Sequence, residues 1–218
     1  MVRFVVMAAG LATRMGQDKL VMPWRDTTVL GYVLQTLLEA ITLHEERSLL
    51  LASLSGVTEI YVVARHPIEV YLTKDRIRRF NSYGGVWIQV PSPMPLAETI
   101  RFGLQDLNSE VQCIGFLPGD QVGITAIRLA DCLQQVLQVS PDFFVPIAGD
   151  KAGSPVFFHM RYVPELLALQ GETGGRKVLY RYPERWWKYP VEERFFQDVD
   201  TPEQYYALLC QIRDQSDG

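Results

Sequence analysis

Short runs of β-branched and aromatic residues alternate with stretches of helical periodicity along most of this 218-residue chain. The first run, residues 3–8, is almost wholly apolar and ends close to Gly10. Such a run is typical of a strand buried on both faces, so we expect it at the centre of the sheet. The alternation as a whole predicts an α/β fold with a mostly parallel sheet covered by helices.

The same reasoning predicts the later elements. Further strands are expected at residues 59–64, 86–90, 113–117 and 143–146. Helices are expected from Val29 past Ile41 and at residues 68–80, 96–107, 125–137 and 202–212. The length fits one domain, 1–218, in which 150–218 form a subdomain of short helices and one or two strands on the same sheet.

Composition excludes several classes of function. With 21 Lys and Arg against 25 Asp and Glu, the formal charge is −4, so no overall basic field attracts nucleic acid or an anionic membrane. The longest apolar run near the start has about nine residues where a spanning helix needs about twenty, so neither a transmembrane helix nor a secretory signal is expected. Three widely spaced cysteines form no CxxC motif, which favours core thiols in a reducing cytoplasm.

A segment rich in glycine and basic residues follows the first predicted strand. In residues 8–20, AAGLATRMGQDKL, Gly10 and Gly16 allow backbone N–H groups to turn toward an anion, and Arg14 and Lys19 add positive charge. The spacing matches neither a P-loop nor the dinucleotide-binding fingerprint. We therefore expect a phosphate-binding loop, against the alternative of an ordinary glycine-rich turn with incidental basic residues.

Two acidic clusters lie where strands of the sheet should end or a helix should begin. Asp120 comes directly after the strand at 113–117, where a carboxylate can bind a hard cation such as Mg²⁺, or can instead form a turn or cap a helix. Asp198 and Asp200 alternate on one side of an extended segment, and Asp200 or Thr201 is positioned to cap the last helix. The three histidines lack metal-site spacing, and Trp186 and its neighbours fit a half-buried strand.

Several of these segments resemble one known family. The segment AAGLATRMGQDKL resembles the AAGxxxRMGxxKL signature of the MobA-like nucleotidyltransferases, and most closely the branch that includes molybdenum cofactor cytidylyltransferase. Four further segments resemble family motifs in the same order along the chain: Gly119-Asp120-Gln121, Gly153-Ser154-Pro155-Val156-Phe157, Gly171-Glu172-Thr173-Gly174-Gly175-Arg176 and Asp198-Val199-Asp200-Thr201-Pro202-Glu203.

The resemblance implies a three-layer α/β/α sandwich with a Rossmann-like sheet, and transfer of a nucleoside monophosphate from an NTP to a phosphorylated acceptor with Mg²⁺. Residues 1–149 would bind the nucleotide and 150–218 the acceptor. Ala9 before Gly10 resembles the cytidylyl branch, which favours CTP as donor. Resemblance to the molybdenum cofactor branch implies molybdopterin as acceptor and a molybdenum hydroxylase as partner. The implied catalytic residues are Arg14, Lys19 and Asp120; nucleotide-binding residues Ala8, Ala9, Gly10, Leu11, Arg14, Met15, Gly16 and Lys19; metal ligands Asp120 and Asp200; acceptor-binding residues Gly153, Ser154 and Arg176.

One segment departs from the family pattern. Relatives often carry a serine-rich GMSSS stretch before the next helix, whereas this chain has Pro95-Leu96-Ala97-Glu98-Thr99. Glu98 would repel a phosphate, so this loop should face the base and sugar, or the acceptor should differ from molybdopterin. The alternatives that stay open are GTP as donor, a sugar or polyol phosphate as acceptor, or a non-catalytic accessory protein that binds and hands over the molybdenum cofactor.

Overall fold

A computed structural model describes residues 1–10, 16–50, 58–91 and 93–214 of the chain. Within these residues it forms one eight-stranded mixed sheet, mostly parallel, and a separate two-stranded hairpin. The strands are β1 (Val2–Ala8), β2 (Pro23–Trp24), β3 (Thr27–Thr28), β4 (Thr58–Ala64), β5 (Val86–Gln89), β6 (Cys113–Pro118), β7 (Phe143–Ala148), β8 (Lys151–Ala152), β9 (Val156–His159) and β10 (Trp186–Pro190).

Helices connect most of these strands. In the described part of the chain they are α1 (Val29–Leu50), α2 (Lys74–Ser82), α3 (Leu96–Gly103), α4 (Ala126–Val139), α5 (Val163–Leu167), α6 (Arg176–Leu179) and α7 (Pro202–Asp214). None of the helices in these ranges is long and apolar enough to cross a membrane.

The first strand lies inside the sheet, as its apolar sequence predicts. The order is β10-β7-β9-β6-β1-β4-β5, with β8 paired to β7, and β1 runs parallel to both β4 and β6. Successive side chains of β1 point to opposite faces: Phe4 and Val6 pack on the side of α1 and α4, and Val5 packs on the side of α3 and α5. The sheet therefore lies between two helical layers, and the predicted α/β fold class is confirmed.

Several element boundaries differ from those predicted. The segment predicted as one helix over 68–80 divides into a short 3₁₀ helix, Ile68–Val70, and α2. The last predicted strand before residue 150 extends to Ala148. Of the three cysteines predicted to be core thiols, Cys113 and Cys132 are buried, but Cys210 is exposed on α7. That expectation was wrong for Cys210 because a surface helix buries only one of its faces.

β9 breaks the parallel pattern of the sheet. It lies between β6 and β7 and is antiparallel to both. Only a short segment joins Ala148 to Val156, and a parallel connection needs a crossover of about a dozen residues or more. The chain therefore turns back on itself at this point, and this reversal brings Ser154 to the carboxyl edge of β6.

Candidate active site

The Lys19 side chain is surrounded by acids from two distant parts of the sequence. Its Nζ atom forms an ion pair with Asp120 and lies 2.7 Å from Oδ1 of Asp200. Asp120 follows β6, and Asp200 precedes α7. The structure thus brings together three residues that the sequence analysis placed in one site, at the carboxyl ends of the central parallel strands.

The charges in this cluster shift the proton affinities of its members. Burial alone lowers the pKa of the Lys19 ammonium, but the Asp120 and Asp200 carboxylates raise it, and the net shift is upward. Burial, followed by the nearby carboxylates of Asp200 and Asp120, raises the pKa of the Asp198 carboxyl. Lys19 is therefore a firmly protonated cation, and acids are concentrated around it.

The last helix begins with a capping arrangement that involves Thr201 rather than the Asp200 side chain. The Thr201 Oγ1 atom accepts the backbone N–H of Gln204, and Oε1 of Gln204 accepts the N–H groups of Thr201 and Asp200. This reciprocal pattern is a capping box, followed here by proline at the first helical position. The Asp200 carboxylate is directed to Lys19 while Thr201 caps the helix.

The turn that carries Asp120 is tied to its surroundings through the backbone. Gly119 donates to the carbonyl of Met7 at the end of β1, and the carbonyl of Asp120 accepts the N–H of Val199. At Gly123 a Cβ atom would lie 1.8 Å from the carbonyl oxygen of Arg194, so only glycine permits this close approach. The acids from β6 and from the segment before α7 are thereby held side by side.

Gln121 is the buried link in this junction. Its side-chain Nε2 donates to the carbonyl oxygens of Ser154 at 2.7 Å and Phe195 at 2.8 Å, and the residue is 4% exposed. One amide therefore joins the turn after β6 to the segments before β9 and α7. From the sequence, Gln121 was recognised only as part of a family motif, and no role was predicted for it.

A pocket of about 870 Å³ lies at the edge of the sheet where the charged cluster also lies, but Lys19, Asp120 and Asp200 are not among its lining residues. Gly10 after β1 and Pro118 at the end of β6 line it, so it opens at the same edge of the sheet. Most of its walls are apolar, with a carboxylate and a guanidinium from the 171–176 segment. The lining residues are Met7, Ala9, Gly10, Pro93, Met94, Pro95, Leu96, Thr99, Ile100, Phe116, Pro118, Ser154, Val156, Phe158, Glu172, Gly174, Gly175, Arg176 and Leu179.

One wall of the pocket consists of α3 and the 171–176 segment, which are attached to each other. The N–H of Ala97 in the first turn of α3 donates to the carbonyl of Gly171. Gly174 lies so close to Leu96 that a Cβ atom there would be 2.5 Å from its Cδ2 atom. Glu98, the predicted source of repulsion for a phosphate, is exposed and is not among the lining residues.

The structure locates most of the other predicted site residues. Ala9, Gly10, Ser154 and Arg176 line the pocket, and Ala8 is buried at the end of β1. Gly153 instead packs against the ring of Phe196. Gly16 turns the chain with a φ of +67°, a conformation that favours glycine. The predicted residues Leu11, Arg14 and Met15 lie outside the described residues.

A second charged group near the glycine-rich segment escaped the sequence analysis. Asp18 contacts Arg65 at 2.6 Å and His66 at 2.8 Å. Arg65 and His66 directly follow β4, which pairs with β1. The rule that residues after parallel strands point to the ligand would have selected both, had it been applied to this strand as well.

The acids around Lys19 fit a hard divalent cation. Mg²⁺ typically takes one or two protein carboxylates and completes its coordination with phosphate oxygens and water. Asp120 and Asp200 already contact one cationic atom, the Lys19 Nζ, so their oxygens converge on a common point. Among the described residues no group of three or more acids, histidines or cysteines is placed to hold a metal ion.

Taken together, the fold and this cluster define an α/β protein with a charged side-chain cluster and a pocket at the carboxyl edge of its parallel strands, where open α/β sheets bind their ligands. The chain belongs to the family of the MobA-like NTP transferase domain, whose model matches residues 4–186. This match confirms the family inferred from the sequence motifs. It supports a nucleotidyltransferase-like function. No curated protein matches the chain in a sequence search.

Solved structures share this fold over nearly the whole chain. Rv0371c from Mycobacterium tuberculosis H37Rv superposes with a TM-score of 0.72 at 23% identity, covering 95% of this chain and 97% of that one. A manganese complex of the same protein superposes with a TM-score of 0.68 at 21% sequence identity, and the match covers 95% of this chain and 97% of that one.

Two other solved structures with this fold belong to proteins that are named for a biosynthetic product. The 4-diphosphocytidyl-2C-methyl-D-erythritol synthase of Anaerococcus prevotii has a TM-score of 0.63 at 14% identity, covering 97% of each chain. The molybdopterin-guanine dinucleotide biosynthesis protein A of Archaeoglobus fulgidus has a TM-score of 0.58 at 16% sequence identity, and the match covers 97% of this chain and 99% of that one. At these identities the likeness concerns the fold alone.

Proposed function

We propose that this protein transfers CMP from CTP to a molybdopterin-type acceptor and releases pyrophosphate. The observation that carries the proposal is that two features share the carboxyl edge of the sheet: the Lys19 cluster with Asp120 and Asp200, and a large pocket. A triphosphate needs compensating charge, and an acceptor needs an enclosed space next to the α-phosphate. The family assignment supports nucleotidyl transfer, and the donor and acceptor are our inference.

The reaction needs no nucleophile from the protein. An acceptor phosphate oxygen, already anionic at neutral pH, forms a bond to the α-phosphorus of CTP while the bond from that phosphorus to the β-phosphate oxygen breaks. The electron pair leaves with pyrophosphate. The protein's task is to position the two anions and to offset their charge, for which we assign Lys19, Arg14 and the backbone N–H groups between Gly10 and Gly16.

A divalent cation has natural ligands in this site. Asp120 and Asp200 would hold Mg²⁺ once Lys19 turns toward a bound triphosphate. When bound, the cation would neutralise phosphate charge and polarise the phosphoryl group. The manganese complex of the Mycobacterium protein with this fold supports a divalent metal as such.

The lining of the pocket supports an acceptor with an apolar or ring-shaped body. Phe116, Phe158 and Leu179 form an apolar part of its walls, and Arg176 offers a charge for an acceptor phosphate. A sugar or polyol phosphate would leave many hydroxyl groups against apolar side chains. The choice of CTP over GTP still rests on Ala9 before Gly10.

The test is a pyrophosphate-release assay with each of the four nucleoside triphosphates, Mg²⁺ or Mn²⁺, and either molybdopterin or a set of sugar and polyol phosphates. We expect release with CTP and molybdopterin. The matched variant Asp120→Asn should lose metal-dependent release, while Asp75→Asn, on an exposed turn of α2, should retain it. Release with GTP or with a polyol phosphate would reassign the substrates within the same reaction class.

A different outcome would indicate a binding protein. If molybdopterin binds but no triphosphate yields pyrophosphate, the accessory role in handing over the cofactor replaces catalysis. We propose a molybdenum hydroxylase as the recipient in either case, and the cytoplasm, the compartment that the cysteine pattern favours, as the site of action. Co-purification of the tagged protein with such an enzyme tests this partnership independently of turnover.

A further inference from the structure

The residues next to Lys19 form an ion-paired group that the proposed reaction does not use. Oδ1 of Asp18 accepts the N–H of Leu20 at 3.1 Å and so caps the 3₁₀ helix Lys19–Val21. Its other oxygen, Oδ2, lies 2.6 Å from Nη2 of Arg65 and 2.8 Å from Nε2 of His66. One carboxylate therefore joins the turn that carries Lys19 to the end of β4.

The β4 side of this contact is held firmly. Ala64 pairs with Ala8 of β1, and its carbonyl accepts the N–H of Val90. The indole N–H of Trp87 donates to the carbonyl of His66 at 3.1 Å. Arg65 and His66 thus extend from a fixed strand end, and Asp18 is the partner that approaches them.

Among the described residues, Asp18 is the charged partner of the Arg65 guanidinium. Its side chain is 18% exposed, and its Nε and Nη2 atoms are buried without a hydrogen-bond partner in the described residues, apart from the ionic contact with Asp18. Asp18 is 14% exposed. A half-desolvated carboxylate beside a phosphate-binding segment would repel an incoming triphosphate if its charge were not offset.

We infer that Arg65 is a positioning residue of the nucleotide site, acting through Asp18. It neutralises the Asp18 carboxylate and fixes the turn from which Lys19 reaches Asp120 and Asp200. This inference rests on the proposed function only in taking a nucleoside triphosphate as the ligand near residues 8–19. Arg65 itself does not touch the nucleotide.

The test is a double-mutant cycle read out by nucleotide binding, which requires no acceptor. The dissociation constant of CTP with Mg²⁺ is measured by titration calorimetry for the wild type, Arg65→Met, Asp18→Asn and the double variant. We expect Arg65→Met to weaken binding about tenfold or more, because it removes the guanidinium that offsets the Asp18 carboxylate near the phosphates. The double variant should regain most of that loss, and Arg65→Lys should retain near-normal binding.

Arg47→Met is the matched control. Arg47 and Asp131 form an arginine–aspartate pair of similar length, 2.7 Å, between α1 and α4 and away from the carboxyl edge of the sheet. Its loss should leave CTP binding unchanged. Thermal unfolding of each variant separates a general loss of stability from a change in affinity, because a purely structural contact would lower the melting temperature without the charge-specific rescue by Asp18→Asn.

Each outcome of the CTP-binding measurements supports or contradicts the role of Arg65. If the double variant binds CTP as weakly as Arg65→Met, then Arg65 contacts the nucleotide directly and the role through Asp18 is wrong. Equal binding by the wild type and Arg65→Met would also overturn the inference, while leaving the proposed function intact. If the wild type binds no triphosphate at all, the proposed function fails first, and the inference fails with it.

Discussion

At the scale of single residues, the site depends on one cation held among acids. Lys19 lies between Asp120 and Asp200, and these carboxylates together outweigh the effect of burial on its pKa. Such an ammonium carries its full charge at neutral pH. In the proposed reaction it would exchange a carboxylate partner for a phosphate of the bound triphosphate.

Replacing this cation should remove most of the activity. We expect Lys19→Ala to reduce turnover by about a hundredfold or more, the scale observed when one preorganised charge contact is lost. The same loss is expected for Arg14→Ala. The measurement is steady-state pyrophosphate release at saturating CTP. Near-normal turnover in both variants would refute the charge assignment, and Lys177→Ala, on the exposed side of α6, serves as the control.

Replacing Gln121 should lower the stability of the protein without changing the charge of the site. Gln121→Ala removes the donor shared by the carbonyls of Ser154 and Phe195, which leaves two acceptors without this partner. We expect the free energy of unfolding to fall by about 1–3 kcal/mol, measured by urea denaturation. Gln112→Ala, at an exposed position before β6, should change it little. An equal effect of both substitutions would contradict the role of Gln121 as a buried link.

At the scale of elements, one buried arginine connects neighbouring segments at the amino end of the sheet, opposite the candidate site. Arg3 in β1 is fully buried, and its guanidinium pairs with Glu59 of β4 and donates to the carbonyls of Gln105 and Asp106 beyond α3. It also lies 3.7 Å from the ring centroid of Tyr61. The amino ends of two central strands are therefore fastened to the segment that follows α3.

Removing this guanidinium should destabilise the whole sheet. We expect Arg3→Met to lower the free energy of unfolding by about 3–5 kcal/mol, because it leaves the Glu59 carboxylate and several carbonyls without their partner. Chemical denaturation measures the change. Arg78→Met removes an exposed pair with Asp75 and should cost less than about 1 kcal/mol. A loss at Arg3 as small as that at Arg78 would mean that water replaces these contacts.

At the scale of the whole molecule, the burial and the pKa of each cysteine thiol indicate how the chain is packed. Burial raises the pKa of the Cys113 thiol to about 11 and that of Cys132 to about 12, whereas Cys210 is exposed. Only thiolates react quickly with disulfide reagents, so the two buried thiols are protected both by access and by protonation.

We therefore expect a chromogenic disulfide reagent at pH 8 to label one thiol per native chain, and all three cysteines after denaturation. Cys210→Ser should abolish the native reaction. Rapid labelling of Cys113 or Cys132 in the folded protein would show that the sheet or α4 opens readily, contrary to the packing described here.

Much of the fold was predictable because it depends on local patterns. The apolar run of β1 and the helical spacing in α1 each lie within a short stretch of sequence, and both elements form where predicted. The antiparallel course of β9 was not predicted, although the short connection after β7 carried a signal for it. Single-residue placement within the site, such as Gly153 against Phe196, depended on packing that no local pattern encodes.

The sequence by itself determined which residues follow the strands and therefore which can face a ligand: Gly10, Lys19 and Asp120 were all selected in this way. Only the tertiary structure decided that Lys19 meets Asp200, far away in the chain, and that Asp18 meets Arg65. The physical reason is that periodicity reports how each segment is buried, whereas contacts between distant side chains depend on strand order and on the exact approach of two chain ends.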